Sequence, residues 1–320
     1  MISNFNTVNG IIHFNFSSMK DSNNFEVIII GGSYSGLSAA MALGRSLRNV
    51  LIIDSGQPCN KQTPHSHNFL TQDGKTPKEI STLAKKQVEK YDTVKFYEGS
   101  AIKGKRTESG FQIKTESGEL FNAKKLIFAT GIKDILPDIK GFSQCWGISV
   151  IHCPYCHGYE VKNEVTGILA NGDAAIHYSQ LVCNLTKDLT IFTNGKSSFT
   201  AEQIKTLENK GIKIIESEIA SFEHNSGHIQ SIQFKNGSKI PLKAIYARVP
   251  FIQHSDIPES LGCELTDNGF IRVNELQQTN VSGVFACGDN SSFMRSVANA
   301  VATGNFVGAV TNKEFCEAQF

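Results

Sequence analysis

His152-Cys153-Pro154-Tyr155-Cys156-His157-Gly158-Tyr159-Glu160 is the most informative stretch of the chain. Two thiols separated by two residues can close a small disulfide ring, and a helix N-terminus or a nearby cation stabilises one of them as the thiolate. Exchange with an external thiol then proceeds by thiolate attack through a mixed disulfide. His157 follows the second cysteine. Its imidazole titrates near neutrality, so it can take a proton from a thiol or return one to it. His152, on the other side of the pair, is the second candidate for that role. Other chemistries use similar patterns. Cys-x-x-Cys-His is also the attachment site of c-type haem, but that chemistry follows export. A zinc site would need a second pair of ligands at matching spacing, whereas Cys59, Cys145, Cys183, Cys263, Cys287 and Cys316 are scattered. Two buried structural thiols are the plainest alternative. The isolated cysteines read as small core or surface residues.

The rest of the chain must position this pair. With 320 residues it exceeds one ordinary core, so two domains are expected. The net charge is +1, and no run of Lys or Arg forms a patch. That excludes nucleic-acid and membrane-surface roles, which need a concentrated cationic face. No apolar run approaches the roughly 20 residues that span a bilayer. Residues 1–24 lack the basic start and apolar core of a signal peptide and read as a variable or disordered extension. A cytoplasmic, reducing location follows as the expectation. There the eight cysteines would mostly be free thiols, and a close pair would be catalytic or metal-binding. No metal site is expected.

Val27–Ile30 is a short apolar, β-branched run that leads directly into Gly31-Gly32-Ser33-Tyr34-Ser35-Gly36. A helix is expected from Leu37 to about Arg48, and a second strand over Val50–Ile53 ends in Asp54. An acid about 20 residues past the first glycine suits the ribose hydroxyls of a dinucleotide. The pyrophosphate would lie at the helix N-terminus. Gly31, Ser33, Gly36 and Asp54 are therefore candidate cofactor contacts, with Ser33 standing where the fingerprint has its second glycine. Two further strands end in turns of similar character. They are Leu126–Ala129 with Thr130-Gly131, and Gly283–Cys287 with Gly288-Asp289.

Taken in order, GGSYSG, ATG, CPYC and GVFACGD resemble the thioredoxin-reductase-like, FAD-dependent pyridine nucleotide–disulfide oxidoreductases over nearly all of residues 25–320. The resemblance implies an α/β fold of two Rossmann-like, three-layer β-β-α nucleotide-binding domains, the second inserted in the first. Residues 25–133 and 250–320 would bind FAD, and 134–249 would form an NAD(P)-binding-like domain carrying the redox pair. It places Gly288 and Asp289 on the FAD ribityl chain, with Thr130 and Gly131 at the neighbouring turn. The helix beginning near Arg295-Ser296-Val297 would face the flavin, where negative charge builds up on reduction. Ser296 stands where the family usually has Gln, and His157 where reductases commonly have Asp. Cys156 would be the cysteine over the flavin.

A second strand–turn–helix unit runs from Val165–Leu169 through Ala170-Asn171-Gly172-Asp173-Ala174-Ala175 to the strand Leu189–Thr193. Ala170 replaces the first glycine, and Lys196 is the only cation in Asn194–Ser197, where the family grips the 2′-phosphate of NADPH. Use of NADPH or NADH is thereby left open. CPYCHGYE, with His65-Ser66-His67 and Asp73-Gly74, resembles the dithiol oxidases of the gliotoxin and holomycin type. That branch passes electrons from a substrate dithiol through the pair to FAD and oxygen, and it implies His157, His65 and His67 as candidate bases. The expected function is an FAD-dependent thiol–disulfide oxidoreductase, thioredoxin-reductase-like, working through Cys153 and Cys156. An oxygen-linked dithiol oxidase is the alternative within that chemistry. A flavin-binding redox sensor is the alternative outside it. The implied partner is a small dithiol or disulfide or a thioredoxin-like protein, and homodimers are common in the family.

Overall fold

A computed structural model describes residues 23–320. The expected extension over 1–24 lies outside the described residues except for Asn23 and Asn24, and Asn24 already opens the first strand. In chain order the first part runs β1 (Asn24–Ile30), α1 (Tyr34–Arg45), β2 (Val50–Asp54), α2 (Pro77–Val88), β3 (Val94–Glu98), β4 (Ala101–Thr107), β5 (Gly110–Thr115) and β6 (Leu120–Phe128). The sheet they build has the order β3-β2-β1-β6-β5-β4. The nine-residue β6 serves two partners on one side. Its first half pairs antiparallel with β5, and Leu126–Phe128 pairs parallel with β17 (Val284–Ala286), which returns from near the C-terminus.

Strand β1 shows why this part reads as a continuous apolar run. Val27 and Ile29 pack with Leu37, Ala40 and Leu43 of α1 and with Val307 and Val310 of α8 (Val297–Gln319). Ile28 and Ile30 face the other way, onto Ile113, Phe121 and Phe128. Both faces are covered, so alternation disappears from the sequence. The helix α1 is shifted from its expected span. It begins at Tyr34, with Ser33 as an extended N-cap, so the second half of the glycine-containing turn is already helical. It ends at Arg45 because Leu47 turns to φ 57° and Arg48 is drawn back to Glu26 at 3.0 Å.

The chain leaves the first sheet through β7 (Ile132–Asp134) and then forms α3 (Phe142–Cys145), β8 (Val150–Ile151) and the short helix α4 (Pro154–His157), which a short turn at Tyr159–Val161 follows. Next come β9 (Thr166–Leu169), α5 (Gly172–Val182), β10 (Leu189–Phe192), α6 (Ala201–Asn209) and β11 (Lys213–Ile215). The antiparallel β12 (Ile219–Asn225), β13 (His228–Phe234) and β14 (Lys239–Pro241) precede β15 (Ala244–Ala247), β16 (Phe251–Gln253) and α7 (Ile257–Ser260). The second sheet, β11-β10-β9-β15-β8, is parallel throughout. Its two faces are covered by separate apolar clusters. The outgoing β7 and the returning β16 pair antiparallel, Ile132 against Gln253. The fold is therefore α/β, with two Rossmann-like units and the second inserted in the first. Among the described residues no helix is long and apolar enough to cross a membrane.

Candidate functional site

The parallel strands β1, β2 and β6 end at one edge, and a cleft of about 650 Å³ opens there. Gly31, Ser33, Asp54, Thr130 and Gly131 line it from the first sheet, and Asp289, Arg295, Ser296 and Val297 from the C-terminal segment. Cys153, Cys156 and His157 line it from the inserted unit. Two sequence candidates stand behind the wall. A Cβ on Gly36 would fall 1.9 Å from the Gly31 carbonyl oxygen, so this glycine lets α1 close onto the turn. Gly288 has φ 82°, and a Cβ there would meet Ser35 Oγ at 2.7 Å.

The turn between β1 and α1 is braced by the acid at the end of β2. The Gly32 amide donates to Asp54 Oδ1 at 3.0 Å. Asp54 also lines the cleft. Ser33 and Ser296 both occupy N-cap positions facing the cleft, but Ser296 already accepts from the Asn299 amide at 3.1 Å. Val297 packs beside Tyr34 and Ile80.

Cys153 is the N-cap of α4, and its Sγ lies 2.9 Å from Cys156 Sγ. The hydrogen donated by Cys156 holds the Cys153 thiol down to about 7, with further help from the Cys156 and Tyr155 amides and against the effect of burial. Cys156 is pushed upward because it holds the shared hydrogen and is itself buried. The two histidines beside the pair differ. Burial pushes His152 down to about 4, and the Arg295 charge adds to this. His157 is also lowered by burial, but its hydrogen bond to the His65 carbonyl opposes the shift. That bond runs from His157 Nε2 to His65 O at 3.2 Å. His67 lines the cleft, whereas the His65 imidazole bonds to the Gly74 carbonyl at 2.9 Å.

Asp134 was not singled out in the sequence, yet it anchors the charged side of the cleft. Arg295 donates to its two oxygens at 2.9 and 3.0 Å, and Trp146 Nε1 donates to it at 3.3 Å. Asp289 lies 3.9 Å from Arg295. Burial raises Asp289 to about 6 even though the guanidinium opposes the shift. Asn290 was also missed. It is buried and donates to the Phe128 carbonyl at 2.9 Å and to Thr130 Oγ1 at 3.1 Å. Only an acid three residues past Gly131, in Ile132-Lys133-Asp134, marked the first of these in the sequence.

The turn between β9 and α5 is filled by its own side chains. Asn171 Oδ1 accepts from the Gly172 amide at 2.9 Å and from the Ser198 amide at 2.9 Å, and Asn171 Nδ2 donates to the Lys196 carbonyl. Beside Lys196, the Ser197 amide donates to Glu216 Oε1 at 2.8 Å. A carboxylate thus lies next to the one cation of residues 194–197.

The family described as pyridine nucleotide-disulphide oxidoreductase matches residues 25–304. Thioredoxin reductase tcpT of Claviceps purpurea (strain 20.1) is 32% identical, over 92% of this chain and 96% of its own. Thioredoxin reductase sirT of Leptosphaeria maculans is 29% identical, over 90% and 93%. Among solved structures, an oxidoreductase from Agrobacterium tumefaciens is 36% identical, with a TM-score of 0.86 over 92% of this chain and 99% of that one.

Proposed function

The chain belongs to the pyridine nucleotide-disulphide oxidoreductase family, and from that membership we propose an FAD-dependent thiol–disulfide oxidoreductase that oxidises a dithiol through Cys153 and Cys156 and passes the electrons to oxygen. The observation that carries this reading is the convergence of two sulfurs 2.9 Å apart with the strand edge lined by Gly31, Ser33 and Asp54 in one cleft. The residues fit FAD. Gly31, at φ 104°, has no room for a Cβ, so the backbone can approach a pyrophosphate. Asp54 keeps an oxygen for the ribose. Asp289 lines the cleft on the side of the redox pair.

When bound, FAD supplies a two-electron acceptor for the reduced pair. The chain's own residues handle sulfur and protons. A substrate thiolate attacks one sulfur of the Cys153–Cys156 disulfide, and the S–S bond breaks as a mixed disulfide forms. The second substrate thiolate then attacks the mixed disulfide, which releases the substrate as a disulfide and leaves the pair reduced. Cys153 is the member that holds the negative charge, because Cys156 and two backbone amides donate to it. His157 receives the proton that a substrate thiol must lose, being lowered by burial and therefore largely neutral at physiological pH. Tyr155 and Tyr159, both 69% exposed next to the pair, offer apolar contact to an organic dithiol.

The filled turn between β9 and α5 favours oxygen over a nicotinamide. Asn171 occupies the Gly172 amide that would receive a pyrophosphate, and Glu216 stands where a 2′-phosphate would need cations. The printed names of the relatives favour a second reading, NADPH-fed reduction of a disulfide. Anaerobic titration of the flavoprotein separates the two. Dithiothreitol is expected to bleach the flavin, NADPH and NADH to leave it oxidised, and air to restore it with formation of hydrogen peroxide. Bleaching by NADPH as fast as by dithiothreitol would establish the second reading instead. Failure of all three would overturn the coupling of the pair to the flavin.

A further inference from the structure

The segment from His65 to Asp73 lies across the redox turn like a strap. His157 Nε2 meets the His65 carbonyl at 3.2 Å. The His67 ring stands edge-on to the His157 ring, with centroids 6.2 Å apart. His67 is itself held between two carboxylates. Its Nε2 lies 3.6 Å from Glu160 Oε1, and its Nδ1 lies 3.6 Å from Asp73 Oδ2. Asp73 is fixed in turn by the Asn68 amide at 2.7 Å. The base of the strap is closed by the bridge between Ser66 and Lys75. Glu160 comes from the turn just after α4, so the strap is fastened to the element whose histidine it touches.

A carbonyl oxygen only accepts hydrogen bonds. Nε2 of His157 therefore carries a hydrogen, and the lone pair of the neutral ring is left on Nδ1. We infer that His67 and Glu160 are positioning residues which, by holding the His65 carbonyl against His157, fix the tautomer that makes Nδ1 the proton acceptor for a thiol in the cleft. The inference rests on the proposed role of His157 in thiol deprotonation. In that step the S–H bond breaks, the hydrogen passes to Nδ1, and the sulfur keeps the electron pair. The imidazolium so formed still donates from Nε2 to the His65 carbonyl, an arrangement that stabilises the cation and orients the ring. The charged and titratable groups facing His157 are His65 and His67 on the strap, Glu160 after α4, and the two thiols of its own turn. Without the strap, the ring would be free to rotate and to exchange tautomers with solvent.

The test uses the full-length flavoprotein labelled with 15N-histidine, with the His157 signals assigned by their loss in His157→Gln. Long-range 15N–1H correlation reports directly which ring nitrogen carries the hydrogen. The wild type is expected to show the Nε2–H tautomer alone. His67→Ala is expected to give a mixture, and Glu160→Gln, which keeps the shape of the side chain, a smaller admixture. In the same variants the base-dependent rate of flavin bleaching by dithiothreitol should fall with the share of the Nε2–H tautomer, several-fold at pH 6, where the substrate thiol needs a base, and little at pH 8.5, where more of it is already ionised. A wild-type Nδ1–H tautomer would overturn the inference. So would a tautomer unchanged in both variants, even with a lowered melting temperature, since that pattern belongs to a strap that only packs. If His157→Gln itself leaves the pH profile of bleaching unchanged, the base assignment fails independently of the tautomer.

Discussion

Cys153 and Cys156 share one hydrogen across 2.9 Å, and that asymmetry should be visible in their reactivity. A free thiol has few thiolates at neutral pH. Cys153 is held down to about 7 by the hydrogen from Cys156. In the reduced protein, alkylation of Cys153 by iodoacetamide should therefore rise as pH increases through about 7 and level off above it, because the thiolate is the reacting form. Cys156→Ala removes the donor and should move the rise upward, toward the range of an ordinary thiol. Peptide mapping of the alkylated site at each pH checks both outcomes, and an unmoved profile in the variant would show that the Tyr155 and Cys156 amides suffice. The pair itself was legible in the sequence because its spacing is local. Its surroundings were not. Asp134, Glu160 and the His65 carbonyl come from separate segments that only the folded chain brings together.

At the scale of the element, the strand–turn–helix formed by β1, α1 and the turn between them was readable because its parts are consecutive. Val50 to Asp54 form the second strand as the apolar pattern requires, and Asp54, read from the sequence as a ribose contact, also accepts from the Gly32 amide of the turn. The start of α1 was not readable. Tyr34 and Ser35 look like turn residues, yet they are helical, since the helix is positioned by the close approach of Gly36 to the Gly31 carbonyl rather than by the first run of Leu and Ala. One carboxylate thus both braces the turn through Gly32 and presents an oxygen to the cleft. Asp54→Ala removes both functions. A hydrogen bond to a charged group contributes about 1.5–3 kcal/mol, so retention of FAD should weaken by roughly ten- to a hundredfold. The measurement is the ratio of flavin to protein absorbance after gel filtration, together with a flavin titration of the apoprotein. Flavin content equal to the wild type would remove Asp54 from the cofactor site.

On the scale of the whole molecule, the two Rossmann-like units meet through a charged junction as well as through the paired strands β7 and β16. Asp134 sits at the end of β7, where the chain passes from the first sheet into the inserted unit. It accepts from Arg295, just ahead of α8, and from Trp146, which follows α3. One carboxylate therefore ties the C-terminal helix of the first unit to the entry of the second. Its side chain and that of Arg295 are only 10% and 13% exposed, so the pair is a structural commitment. Removing one partner of a buried ion pair typically costs about 3–5 kcal/mol, because the other charge is left without compensation. Asp134→Ala should fall near the lower end of that range, since Asp289 remains 3.9 Å from the guanidinium and can take over part of the interaction. The double variant Asp134→Leu with Arg295→Met removes both charges while keeping side-chain volume, and should recover most of the loss. Urea unfolding of the three proteins, followed by tryptophan fluorescence at the single Trp146 and by flavin release, checks this directly. The order expected is wild type, then the double variant, then Asp134→Ala. If the double variant is instead the least stable, Arg295 contributes chiefly through Asp289 and the cleft, and the link through Asp134 carries little of the coupling between the units.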